Sequence, residues 1–167
     1  MKIANNIVLI GMMGCGKSTI GRLLAGELSY DFLDIDTLIE EKERKLIAEI
    51  FAQKGEEYFR QVESEVLSEA LEKDNCVIAC GGGVVENYRN IDVLTQAKNV
   101  FFLDAKPQIL YDRIAGDKSR PKLTTPDEFQ KLYMSRKIKY SNCTKKIVQA
   151  DRNPIEVVQE IINMRNL

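Results

Sequence analysis

The residues best equipped for chemistry stand together near the amino terminus. Gly11-Met12-Met13-Gly14-Cys15-Gly16-Lys17-Ser18-Thr19 matches G-x-x-x-x-G-K-[ST], a loop whose inward amide N–H groups cradle phosphates. The stretch 11–19 is therefore read as a phosphate-binding loop, with Gly14, Cys15, Gly16, Lys17, Ser18 and Thr19 lying against ATP. Lys17 supplies a mobile ammonium for the β- and γ-phosphates, and the Ser18 hydroxyl suits the shell of a Mg²⁺ ion. Leu33-Asp34-Ile35-Asp36 forms a second cluster. On an extended chain, side chains two residues apart point to one side, so Asp34 and Asp36 would both reach the cradle. Two carboxylates there can divide the work, one holding Mg²⁺ through water and the other contacting an acceptor hydroxyl. Asp36 also suits a helix N-cap, with Glu40 completing the first turns.

These groups need a scaffold that brings them to one place. Short apolar runs at 6–10, 31–35, 76–80, 100–103 and 146–148 are rich in β-branched or aromatic residues, the pattern of strands buried on both faces. Between them, Phe59, Val62, Val66, Leu67, Ala70 and Leu71 recur with helical period, as do Ile155, Val158, Ile161 and Ile162 behind Asn153-Pro154. Strand alternating with helix predicts right-handed βαβ units and a parallel sheet, an α/β fold. Such sheets gather their ligands at the carboxyl ends of the strands, where the loop 11–19 and the aspartate pair both fall.

Composition narrows the chemistry further. A chain of 167 residues fits one domain. Twenty-four Lys and Arg against 25 Asp and Glu give a net charge of −1, which argues against nucleic acid or an anionic membrane as partner. There is no histidine, so Ser-His-Asp and Cys-His hydrolysis, imidazole-based zinc sites and phosphohistidine chemistry are excluded. Cys15, Cys76, Cys80 and Cys143 show no C-x-x-C spacing and read as reduced thiols in a cytoplasmic protein. The apolar run at 7–15 could open an export signal, but Gly11 and Gly14 interrupt it and Lys17 completes the phosphate loop instead. No run approaches the ~20 apolar residues of a membrane span. A full-sized core with no leftover apolar patch makes a monomer the expectation. Neither N-K-x-D nor D-x-x-G occurs, which removes the GTP-driven switches; helicases and motor ATPases need far longer chains, so a single domain with this loop near residue 11 suggests a small-molecule kinase.

Further stretches make the chain similar, from end to end, to the shikimate kinase family. Phe59-Arg60 after Gly55-Glu56-Glu57 resembles the F-R of that family's substrate-binding helix, and Cys80-Gly81-Gly82-Gly83-Val84-Val85 resembles its triple-glycine loop. Arg120-Pro121 resembles the start of its lid, Arg136 with Tyr140 its R-x-x-x-Y, and Arg152-Asn153-Pro154 its adenine-bordering loop. The resemblance implies a three-layer α/β/α P-loop kinase fold with a five-stranded parallel sheet ordered 2-3-1-4-5. It also implies one domain over residues 1–167, a substrate-binding helical region at about 36–73 and a lid at about 117–126. The implied reaction moves the γ-phosphoryl group of ATP·Mg²⁺ to the 3-hydroxyl of shikimate, a step toward the aromatic amino acids.

By the same resemblance, Arg60, Arg136, Gly81, Gly82 and Gly83 bind shikimate, the two guanidinium forks taking its carboxylate. Asp36 aligns the 3-hydroxyl and takes its proton late, while Asp34 holds Mg²⁺ with Ser18. Arg120 stabilises the transferring phosphoryl group beside Lys17, and Arg113 and Arg152 flank the adenine. A kinase for another small hydroxy acid such as gluconate and a nucleotide-gated binding module are the alternatives. The chain departs from the family's common pattern at Cys15, Cys80, Lys122 and Ile138-Lys139, none of which removes a group the chemistry needs. Cys15, in an electropositive cradle, is placed for a lowered thiol pKa and reactivity. Val100-Phe101-Phe102-Leu103-Asp104 reads like a Walker B aspartate. The family topology is taken to set that strand farther from the cradle than the third, which favours Asp34 as the metal ligand. The basic run Arg136, Lys137, Lys139, Lys145 and Lys146 has no interleaved aromatic beyond Tyr140 and reads as a solvated face.

Overall fold

The computed structural model describes residues 5–117 and 125–165. Along the chain run β1 (Ile7–Ile10), α1 (Lys17–Leu28), β2 (Asp31–Asp34), α2 (Ile35–Glu43), α3 (Ile47–Leu71) and β3 (Cys76–Ala79). A 3₁₀ turn at Val84–Glu86 follows, then α4 (Tyr88–Gln96), β4 (Val100–Asp104), α5 (Pro107–Ile114), α6 (Pro126–Cys143), β5 (Ile147–Gln149) and α7 (Pro154–Arg165). The strands pair in parallel as one sheet in the order β2-β3-β1-β4-β5. Helix α1 packs beside α7 on one face, and α3, α4 and α6 pack together on the other, the arrangement that right-handed crossovers give this strand order. Three layers result. Most of the lid expected at 117–126, with Arg120 and Lys122, lies outside the described residues.

The three inner strands are buried at every residue, as apolar runs sandwiched between helices should be. The outer two differ. β2 has no fully buried residue and β5 buries only Val148, so two-sided burial does not extend to the runs at 31–35 and 146–148. The helices cover the centre of the sheet better than its margins. A similar edge effect corrects α7, where Val157, Val158 and Ile161 form the buried stripe while Ile155 is 65 % exposed. Ile155 and Ile162 stand seven residues apart and share the margin of that stripe.

Register brings the functional loops together. Leu9 pairs with Ala79 on one side and Phe101 on the other, and Asp34 pairs with Ala79. The carboxyl ends of β1, β2 and β3 are therefore level, and the loops leaving them open on one edge. β4 lies directly against β1, as β3 does. The expectation that it sits farther from the cradle is wrong, because β1 is the middle strand of five. The region at 36–73 resolves into α2 and α3. Glu40 accepts a hydrogen bond from Ile47 N at 3.0 Å across their junction, and Gly55 (φ 81°) kinks α3. Among the described residues no helix is long and apolar enough to cross a membrane.

Candidate functional site

A cleft of about 440 Å³ opens at that edge, lined by residues 13–19 of the glycine loop and by Asp34, Asp36, Cys80, Gly81, Gly82, Arg113, Ala150, Arg152 and Pro154. The loop is shaped by its glycines. Gly16, at φ 93°, caps α1 in a conformation other residues rarely adopt, and no side chain caps the helix. The first-turn amides of α1 are thus left for a ligand with negative charge. Lys17 is buried, and its ammonium donates to Gly11 O at 2.7 Å and Met12 O at 3.1 Å, 3.5 Å from Cys15 Sγ. Cys15 is 1 % exposed. Burial closes it to reagents in solution, which overturns the expectation of a reactive thiol.

At the mouth of the loop the Ser18 hydroxyl donates to Asp34 Oδ2 at 2.7 Å. Asp34 Oδ1 accepts from Thr37 N at 3.3 Å, so the N-cap of α2 is Asp34 and not Asp36. The two-residue strand alternation fails here because β2 ends at Asp34 and Asp36 already sits in the first turn of α2. Both carboxylates still line the cleft. One hydroxyl and one carboxylate are hard oxygen donors, too few for an all-protein cage. Among the described residues no cluster of three or more Asp, Glu, Cys or His is placed to hold a metal. This donor set fits Mg²⁺, which keeps waters and phosphate oxygens around it.

The glycines after β3 face charged side chains one by one. A Cβ on Gly81 would lie 2.8 Å from Asp36 Oδ1 and 3.1 Å from Glu63 Oε2, and one on Gly82 would lie 3.6 Å from Arg136 Nη1. A Cβ on Gly83 would collide with the Arg60 guanidinium. Arg60 and Arg136 do not line the 440 Å³ cleft itself but stand behind this loop. Arg60 Nη1 donates to Glu63 Oε1 at 2.8 Å and Arg136 Nε to Glu86 Oε1 at 2.7 Å. Arg60 Nε and Arg136 Nη1 are buried with no hydrogen-bond partner among the described residues. Arg60 Nε lies 3.5 Å from Glu56 Oε1. The Tyr140 hydroxyl donates to Gly82 O, which ties the triple-glycine loop to α6.

Glu63 and Glu86 were not anticipated. Glu63 is 1 % exposed, and burial pushes its carboxyl up to about 7, with Arg60 opposing and Asp36 adding to the rise. Burial also raises Glu86, but hydrogen bonds from Lys139 and Arg136 outweigh it and hold the group below its usual range. Glu63 could have been found from the Arg60-to-Glu63 spacing, one helical turn. Ala150 of the cleft wall was also missed, although it stands two residues before Arg152.

Several expectations meet their surroundings here. Arg113 Nη1 donates to Gly14 O at 3.0 Å, and Arg152 donates to Gln149 O at 3.0 Å while pairing with Glu160. Asp104 is committed elsewhere. It accepts from the Tyr133 hydroxyl and from Ala105 N, and pairs with Lys137 Nζ at 2.9 Å. Lys137 and Lys139 are therefore fixed partners of Asp104 and Glu86, not merely a solvated face.

A family model described as shikimate kinase matches residues 13–166. A shikimate kinase of Staphylococcus haemolyticus is 42% identical over 159 residues, covering 94% of this chain and 92% of that protein. The chain belongs to the shikimate kinase family. The structure of a shikimate kinase from Acinetobacter baumannii in complex with shikimate superposes with a TM-score of 0.91 at 32% identity, covering 96% of this chain and 92% of that one. The family's P-loop kinase fold is wider than the family. A gluconokinase from Sinorhizobium meliloti gives a TM-score of 0.61 at 14% identity over 99% of this chain and 94% of its own, a likeness of fold alone.

Proposed function

We propose that this protein transfers the γ-phosphoryl group of ATP to the 3-hydroxyl of shikimate, giving shikimate 3-phosphate and ADP. The observation that carries the reading is the pair of buried guanidinium nitrogens behind the triple-glycine loop, Arg60 Nε and Arg136 Nη1, that have no hydrogen-bond partner among the described residues. Buried donors of this kind call for an acceptor, and a carboxylate on a small hydroxylated ring supplies one while its hydroxyls face Asp36. Arginine forks suit a planar carboxylate better than lysine does.

The residues then divide the reaction. Amides of the glycine loop and of the first turn of α1 receive the phosphates. Lys17 moves its ammonium from loop carbonyls to phosphate oxygens, and Arg113 and Arg152 border the base. Ser18 and Asp34 would hold Mg²⁺, which when bound supplies charge neutralisation on the β- and γ-phosphates. Asp36 accepts a hydrogen bond from the 3-hydroxyl. An ordinary carboxylate is too weak to deprotonate an alcohol in advance, and a loose transition state asks little of a base. Asp36 therefore orients the nucleophile and takes its proton late. Arg120, outside the described residues, closes over the transferring group, a role worth on the order of 10³–10⁵ in rate. This reading takes residues 1–167 as one catalytic unit, a cytoplasmic monomer working on small molecules without nucleic acid or membrane.

A coupled assay of ADP release with shikimate, gluconate or no acceptor tests the proposal. Release should depend on shikimate and remain at background with gluconate. Release indifferent to shikimate would overturn it.

A further inference from the structure

Helix α6 buries Phe129, Tyr133, Arg136, Tyr140 and Cys143, so Arg136 holds a core position in an otherwise apolar and aromatic stripe. Its side chain is more than nine-tenths buried. A guanidinium there must have its donors satisfied or reserved for a ligand. Glu86 Oε1 takes Nε at 2.7 Å, Nη1 is buried without a hydrogen-bond partner among the described residues, and Nη1 would lie 3.6 Å from a Cβ on Gly82. The second oxygen, Glu86 Oε2, accepts from Lys139 Nζ at 2.7 Å. One carboxylate thus bridges two cations three residues apart on α6. Glu86 closes the 3₁₀ turn that follows Gly83, so the segment that opens space for the acceptor also supplies this brace.

We infer that Glu86 is a positioning residue for the acid substrate, clamping Arg136 through Nε so that Nη1 is presented at Gly82. The inference rests on the reading of this region as the acceptor's carboxylate site. Arg60 is braced differently: Glu63 takes Nη1 at 2.8 Å, and Glu56 Oε1 lies 3.5 Å from both Nε and Nη2.

Charge and position make opposite forecasts for Glu86→Gln. Removing a negative charge beside a site for an anion should, by Coulomb attraction alone, lower the KM for shikimate. Losing the brace should raise it, by about tenfold, with kcat and the KM for ATP within about twofold. Steady-state kinetics of Glu86→Gln and Glu86→Asp are read beside the ¹⁵Nε–H signal of Arg136. That signal should be protected from solvent exchange in the wild type and lose protection in Glu86→Gln, with Glu86→Asp restoring part of both. A lowered or unchanged KM for shikimate overturns the inference, as does an Arg136 Nε–H equally protected in both proteins. Wild-type turnover indifferent to shikimate would overturn the acceptor reading instead, while the exchange measurement still reports whether Glu86 holds Arg136.

Discussion

At the phosphate end of the cleft, Lys17 is held by the carbonyls of Gly11 and Met12. At the glycine-loop end, Arg60 and Arg136 are held by the carboxylates of Glu63 and Glu86. Both ends present cations to anions, but one is braced by backbone and the other by ionisable side chains. A carbonyl brace is indifferent to pH and comes from the same few residues as the group it holds. A carboxylate brace titrates, and here it reaches across α3, the 3₁₀ turn and α6. The two ends should therefore fail separately and in different ways.

The largest effect is expected at the phosphate end. Lys17→Met should lower kcat by about 10²–10³-fold, the cost of removing one charge-stabilising donor, with little change in the KM for shikimate. An equal rise in that KM would mean the ends are not separable. A moderate effect is expected from Glu63→Gln, and it is one of pH. In the folded protein Glu63 binds its proton more tightly than in the unfolded chain, where it has the ordinary value of 4.5, against about 7 when folded. Its contribution to stability is therefore complete below pH 4.5 and is lost as pH rises through about 7. The loss is on the order of 3 kcal/mol. Urea midpoints at pH 5 and pH 8 should fall more for the wild type than for the variant, and parallel behaviour would remove Glu63 as the titrating brace. The smallest effect belongs to Arg152→Ala. That side chain is partly exposed and already paired with Glu160, so the KM for ATP should rise only about threefold. A rise in the KM for shikimate instead would place Arg152 at the wrong end.

The same contrast explains what could be read from sequence. The phosphate loop was legible because its nine residues are contiguous and its work is local, done by successive backbone amides and two adjacent side chains. Alternating runs gave the α/β class, whereas the order 2-3-1-4-5 came from family resemblance, since parallel pairing leaves no local mark. Asp34 and Asp36 were legible as a pair but not in their geometry, because helix α2 begins two residues earlier than strand alternation through Asp36 assumes. Arg136 stands out once α6 is drawn as a helix, a lone charge among Phe129, Tyr133, Tyr140 and Cys143. Glu86 left no such trace. Its partner Arg136 is 50 positions away, and its sequence neighbours carry nothing that names it.

Lys17 carries a consequence for release as well as capture. Its ammonium has acceptors within its own loop, Gly11 O and Met12 O, so a departing phosphate strands no buried charge. On the proposed reading of this loop, binding is a trade of partners, carbonyl for phosphate, and leaving is the same trade reversed. A lysine without that fallback would make the loop greedy, tightening its hold on ADP as much as on ATP. On the same reading, the carbonyls would keep the loop's grip modest at the point in the cycle where a catalyst must let go.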